Sequence, residues 1–287
     1  MNLERMYIIS WFGNDEVREK RVDYHNRQIE WALKNNLEVY VFSQEYQSHE
    51  FNENVHYLNH KNDKVLLPAE ARNICLHHFY NSDCDYAIIA DNDSVLHEGE
   101  QHCDSKDFVS IFNSIPLSEL KEVDFFFPLN PGKIPFNKTI KKQNFQFENF
   151  LIFERNTDSK GSFCVLKNLE KFYGQRIYYD EQNFMTKDRQ IITHEDVDFG
   201  LQMLDSGFSC YMLKNIILKE YATSTSTWTK QEDRSNVMTT GKDILKQKYK
   251  LSTSGGNMDY SVLYDANKRS KKLMISKRKT DGLFVFE

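Results

Sequence analysis

Apolar and polar positions along the chain change period several times, and the changes divide it into strand-like and helix-like stretches. Met6 to Trp11 is a short apolar-rich strand that ends at the turn cluster Gly13-Asn14-Asp15. From Asp15 to about Asn35, an intermittent apolar face (Val17, Arg21, Tyr24, Gln28, Ile29, Trp31 to Leu33) predicts a helix. Leu37 to Phe42 then forms a second strand, so the chain opens as a parallel, right-handed strand-helix-strand unit. A weaker strand is expected at Val55 to Leu58. Pro68 to Phe79 is an amphipathic helix, with Pro68 in its first turn and Ala71, Ile74, Cys75, His78 and Phe79 on one face. It runs into the uncharged stretch Tyr86 to Ala90, the pattern of a strand buried on both faces.

Beyond that strand, His97 to Lys106 is loop-like and a short helix spans Asp107 to about Ile115. Val123 to Pro128 is another buried strand, and Leu129 to Asn144 is irregular and basic, with Lys133, Lys138, Lys141 and Lys142. Strands are expected over Phe145 to Phe153 and Gly161 to Lys167, the latter followed by helix to Tyr173. Thr193 is placed to cap a helix whose first turn holds Glu195, Asp196 and Asp198 and whose buried face is Val197, Leu201 and Leu204, with Gly207 as its stop. Phe208 to Leu218 supplies a last strand or strand pair. From Thr223 onward Ser, Thr, Gly and Lys dominate, with two periodic pieces at Lys242 to Tyr249 and Asp259 to Tyr264. The expected organisation is an α/β catalytic domain over 1–222 and a basic extension over 223–287, packed on or covering the active site.

The pair Asp91 and Asp93 closes the buried strand. Asp-x-Asp occurs three times in the chain, as Asp83-Cys84-Asp85, Asp91-Asn92-Asp93 and Asp196-Val197-Asp198. Only the middle copy stands at the C-terminal end of an apolar strand, where open α/β sheets place ligands. Residues i and i+2 of a strand share a face, so Asp91 and Asp93 converge on one hard cation while Asn92 faces away.

Composition narrows the class. The chain has 287 residues, 40% hydrophobic and 14% aromatic, enough for one large or two modest cores. No stretch reaches the length of a membrane span, and Met1-Asn2-Leu3-Glu4-Arg5 lacks the apolar region of a signal peptide, so a soluble cytoplasmic protein is expected. Five widely spaced cysteines without a C-x-x-C pair argue against a disulfide framework or a zinc ribbon. The net charge of −5 is uneven: Thr240 to Glu287 carries eleven Lys or Arg against five Asp or Glu. A basic end on an acidic body fits either a polyanionic partner or a solvated tail.

Four features stand in order: Ala71-Arg72-Asn73 on a helix, the strand ending in Asp91-Asn92-Asp93, the glycine-led strand Gly161 to Lys167, and His194-Glu195-Asp196 opening a helix. This set resembles the A-type (GT-A) fold of nucleotide-sugar glycosyltransferases over roughly Met6 to Tyr221. The resemblance implies a Rossmann-like, mostly parallel central sheet flanked by helices. It implies that Asp91 and Asp93 hold Mn²⁺ or Mg²⁺ on a UDP-sugar, that Trp11, Arg72 and Asn92 help frame the nucleotide, and that Glu195 or Asp196 contacts or activates the acceptor hydroxyl, with inversion favoured. Family members often supply a further metal ligand, commonly His, after the last core strand. None of the nine histidines here lies beyond His194, which leaves Glu220 or water.

The chain also resembles the small phage-type enzymes that glycosylate 5-hydroxymethylcytosine in DNA, a resemblance that implies DNA as the acceptor and the host-cell cytoplasm as the location. Phe136, Phe145, Tyr178, Tyr179 and Trp228 are the aromatics available to stack an extruded base. A lipopolysaccharide or other glycan acceptor, a polyanion-binding non-enzyme, and a metal-dependent nucleotidyltransferase are the alternatives. A monomer is expected.

Overall fold

The computed structural model describes residues 2–10, 15–43, 52–58, 66–92, 94–96, 108–129, 150–155, 163–220, 231–254, 257–259, 263, 273–277 and 284–286. The first half comprises β1 (Leu3–Ser10), α1 (Asp15–Lys34), β2 (Glu38–Ser43), β3 (Val55–Tyr57), α2 (Pro68–Tyr80), β4 (Tyr86–Asp91), β5 (Ser94–Leu96), α3 (Phe108–Ser114) and β6 (Phe125–Leu129). The second half comprises β7 (Phe150–Arg155), β8 (Phe163–Lys167), α4 (Leu169–Tyr173), α5 (Glu195–Asp205), β9 (Cys210–Glu220) and α6 (Gln231–Tyr249). Four short strands follow: β10 (Ser252–Ser254), β11 (Asn257–Asp259), β12 (Leu273–Lys277) and β13 (Phe284–Phe286).

The main sheet runs β3-β2-β1-β4-β8-β6-β9 and continues through β7, β12 and β13. β1 is parallel to β2 and β4, β2 to β3, and β6 to β9. β8 is antiparallel to both β4 and β6, so it alone runs against the other strands of that seven-membered path. The central sheet is therefore mostly parallel, with helices on its faces, as the α/β reading expects.

Side chains of β4 alternate between two cores. Ala87 and Ile89 face the cluster that includes α2, α5 and α6, while Tyr86, Ile88 and Ala90 face the cluster that includes α1 and α3. All five are essentially inaccessible, which an uncharged run permits and an unpaired charge would oppose. The carboxylate of Asp91 is tolerated because the strand ends there.

β9 is one strand of eleven residues. Its first part pairs with β6 and β7, and a register shift opposite Pro128 and Leu129 turns the rest towards β5. The β5 pairing sets Ser94 opposite Glu220. That register brings the backbone at Glu220 beside the strand that follows Asp93.

The chain after residue 222 departs from the sequence expectation in two places. The periodic piece at Lys242 to Tyr249 is the end of a helix that begins at Gln231. Asp259 closes β11, the expected piece from Asp259 to Tyr264 otherwise lies outside the described residues apart from the helical Leu263, and β12 adds to the main sheet antiparallel to β7. Among the described residues no helix is long and apolar enough to cross a membrane. Cys75, Cys84, Cys164 and Cys210 are buried free thiols, and burial pushes Cys164 up to about 12, so these are packing residues; Cys103 lies outside the described residues.

Candidate functional site

β1, β2 and β4 end side by side at Ser10, Ser43 and Asp91, with Ile9 registered to Asp91. α1 secures this edge from one face. Gln28 is 1% exposed and its amide nitrogen donates to the carbonyls of Asp91 (2.9 Å) and Ser94 (2.7 Å), clamping both sides of the Asp-x-Asp turn. The backbone N–H of Asn92 donates to Ile9, and its side-chain oxygen accepts from Arg21 at 3.3 Å. Asn92 is thus turned into the protein, and the turn is held by backbone contacts that do not use the Asp91 carboxylate.

From the other face, α2 delivers Arg72, only 4% exposed. Its Nη2 donates to both oxygens of Asp91 at 2.9 Å, and its Nη1 donates to Oε1 of Glu195 at 2.8 Å. Tyr179 lies under the guanidinium at 5.3 Å and is itself stacked on Phe199 at 4.4 Å. Burial works against the Arg72 charge, but Asp91, Tyr179, Glu195 and Asp196 outweigh it, so the group stays ionised well above its ordinary range. The guanidinium joins the strand-end acid, 19 residues from Arg72 in sequence, to the first residue of α5, 123 residues from it.

The two acids respond differently. The Asp91 side chain keeps 28% of its surface open. The Glu195 side chain keeps 11%, and its carboxyl is pushed up to about 7, first by burial and then by Asp196, against the opposing pull of Arg72. Arg72 prefers its partner ionised and burial prefers it neutral; the balance leaves Glu195 able to exchange a proton near neutrality while Arg72 does not titrate. Asp196, half-buried beside it, accepts from the N–H of Val197 at 2.8 Å.

Hard carboxylate oxygens on a half-open strand end suit Mn²⁺ or Mg²⁺. Among the described residues no group of three or more His, Cys, Asp or Glu gathers as a metal cluster. Asp93 and the side chain of Glu220, the other two acids expected there, lie outside the described residues, as does Trp11.

No family model and no curated protein matches the chain. Solved structures resemble it in part. S. aureus TarS 1-349 in complex with UDP-GlcNAc matches at 11% identity and a TM-score of 0.49, over 83% of this chain and 64% of that one. GalNAc-T7 with UDP, GalNAc and Mn²⁺ matches at 10% and 0.49, over 79% and 45%. The inositol-1-phosphate CTP transferase from T. maritima matches at 10% and 0.39, over 84% and 97%. The chain thus spans less than two thirds of the length of the first two.

Several expected residues are displaced. Thr193 does not cap α5: the cap is His194, at φ 78° in the left-handed region, and the Thr193 hydroxyl bonds its Nδ1 at 2.9 Å instead. The chain must turn sharply there to bring Glu195 inward to Arg72, and a conventional cap at Thr193 would start the helix too early. Tyr179, expected to be free for stacking, is 3% exposed and belongs to the core under Arg72. Tyr178 is half-buried against Tyr80, while Phe136, Phe145 and Trp228 lie outside the described residues. Gln28 and Tyr179 were legible only as members of an apolar face and a loop; a glutamine on an apolar face is the signal that a buried carbonyl pair needs a donor.

Proposed function

We propose that this protein is a metal-dependent glycosyltransferase that moves a sugar from a UDP-sugar to a hydroxyl acceptor. The observation that carries the reading is the Arg72 bridge, which joins a half-open carboxylate at the C-terminal edge of the sheet to a buried carboxylate on the facing helix. Two acids of different accessibility, linked by one cation, suit a reaction with a charged leaving group on one side and a proton to remove on the other.

In this reading Asp91, Asp93 and Glu220 hold the divalent ion. When bound, the ion supplies Lewis-acid stabilisation of the departing nucleoside diphosphate. Asp196, the more open of the helix acids, takes the proton of the acceptor hydroxyl as its oxygen attacks the anomeric carbon and the bond to the diphosphate breaks, inverting the configuration. A base so placed contributes roughly 10²- to 10⁴-fold. Arg72 helps frame the nucleotide and Glu195 shares the acceptor side with Asp196, while together they hold Asp91 and the start of α5 in register; Trp11 and Asn92 shape the nucleotide end.

The acceptor we propose is 5-hydroxymethylcytosine in DNA, with the extension over 223–287 facing it. The support is the resemblance to phage-type DNA glycosyltransferases together with the eleven Lys or Arg against five acids from Thr240 onward, a charge suited to backbone phosphates. Incubation with hydroxymethylcytosine DNA, Mn²⁺ and a panel of UDP-sugars should add one sugar mass per modified base and release UDP. Transfer to a lipopolysaccharide or glycan with none to DNA replaces the acceptor. Release of pyrophosphate makes the enzyme a nucleotidyltransferase, and DNA binding indifferent to UDP and metal makes it no enzyme.

A further inference from the structure

We propose that α6, through Gly241, sets the position of the acceptor-side acids, making Gly241 and Lys248 positioning residues for Glu195 and Asp196. Gly241 stands inside a 19-residue helix, where glycine is less favourable than alanine by roughly 1 kcal/mol. The reason for its presence is contact. A Cβ there would overlap the carbonyl oxygen of Thr193 and lie 2.9 Å from Nδ1 of His194. Those residues form the left-handed turn that leads into Glu195. A non-glycine residue in that region is itself unfavourable by roughly 1 kcal/mol or more, so two costly backbone choices meet at one point.

A second attachment lies two turns further along. Lys248 donates to Asp198 (2.9 Å to Oδ1) and to Asp180 (2.8 Å), and the Tyr249 hydroxyl donates to Asp198 at 2.8 Å. Asp198 is fully buried in the first turn of α5, and Leu245 and Tyr249 share the core cluster of Val197 and Leu201. The helix therefore presses on the residues before α5 and pulls on its first turn. The backbone at Asp91 is also held by β1 and by Gln28 of α1, so movement of α6 shifts the acceptor acids more than it shifts Asp91, which α6 reaches only through Glu195 and Arg72.

The activity readout rests on the transferase reading; the structural readout does not. In the full-length protein, Gly241→Ala should lower kcat for sugar transfer 10- to 100-fold, as expected for a displacement of the order of an ångström, with the UDP-sugar KM within about twofold of wild type. Lys248→Met should give a smaller fall in the same direction, and Lys248→Arg should restore most of it; Lys248→Met carries the test if Gly241→Ala does not fold. A kcat within twofold of wild type for both, or a parallel change in kcat and donor KM, overturns the proposal. Should the wild-type protein consume no nucleotide sugar, the transferase reading fails alone, and amide exchange decides this one. Gly241→Ala should then speed exchange at Val197 and Asp198, and unchanged protection overturns it.

Discussion

β4 carries a buried cation with carboxylate partners at each end, and the two clusters are finished to different degrees. Where β4 begins, Tyr86 is registered to Lys167, 2% exposed, whose ammonium donates to Asp124 and to the carbonyls of Leu120 and Lys121, with the Tyr173 hydroxyl oxygen 3.2 Å away. Asp124, fully buried, also accepts from the N–H and hydroxyl of Ser209 and from Tyr173. This cluster is closed. Where β4 ends, Nε of Arg72 is buried with no hydrogen-bond partner among the described residues, Asp91 stays partly open, and Glu195 titrates near neutrality. A buried pair that is fully satisfied fastens a sheet; one left incomplete holds charge in readiness for a ligand.

The contrast is broken most severely by exchanging the expected phenotypes. Asp91→Asn should cut sugar transfer on the order of a thousandfold, by analogy with losing one group that stabilises developing charge, while shifting the thermal midpoint by only a few degrees. Turnover and a melt on the same preparation check it. Asp124→Asn should do the reverse: stability falls by about 3 kcal/mol in urea, because Lys167 is left buried without its anion, and kcat of the folded enzyme is unchanged.

A smaller effect lies in pH. Native Glu195, buried against Arg72 and Asp196, keeps its proton up to about pH 7, whereas an ordinary glutamate loses it near 4.5. The native state then binds more protons across that window, so stability falls as pH rises through it, by about 3 kcal/mol. Glu195→Gln should flatten that part of a urea-midpoint profile, and Lys167→Met should not. The smallest effect concerns the turn itself: Gln28→Leu removes the donor to Asp91 and Ser94 and should weaken Mn²⁺ binding about tenfold by isothermal titration, with transfer restored at high Mn²⁺.

Elements with their own periodicity or apolar run were readable along the chain. β4, α2 and α5 lie within one or two residues of their expected bounds because burial on one or both faces dictates their composition. Elements held by distant partners were not. Ser94–Leu96 is a strand only because β9 pairs with it, and the first half of α6 is rich in Thr, Ser and Asn and shows no apolar stripe. Thr193 is the better capping residue on propensity, yet the cap is His194, in a turn that packs against Gly241. An isolated glycine between Thr240 and Lys242 was the available sign of that packing. Asp91 and Glu195 were both legible as candidates; their link through Arg72 was not, since it spans most of the domain.

The central claim is that the open end of β4 is where a nucleotide sugar and its metal bind. Thermal stability of wild type, Asp91→Asn and Asp124→Asn with a UDP-sugar panel, with and without Mn²⁺, tests it directly. At a hundredfold excess over Kd a bound donor stabilises by about 2.7 kcal/mol. Wild type and Asp124→Asn should each rise by the same increment with one UDP-sugar in Mn²⁺, and Asp91→Asn should not. An absence of any rise in wild type, or an equal rise in Asp91→Asn, contradicts the account.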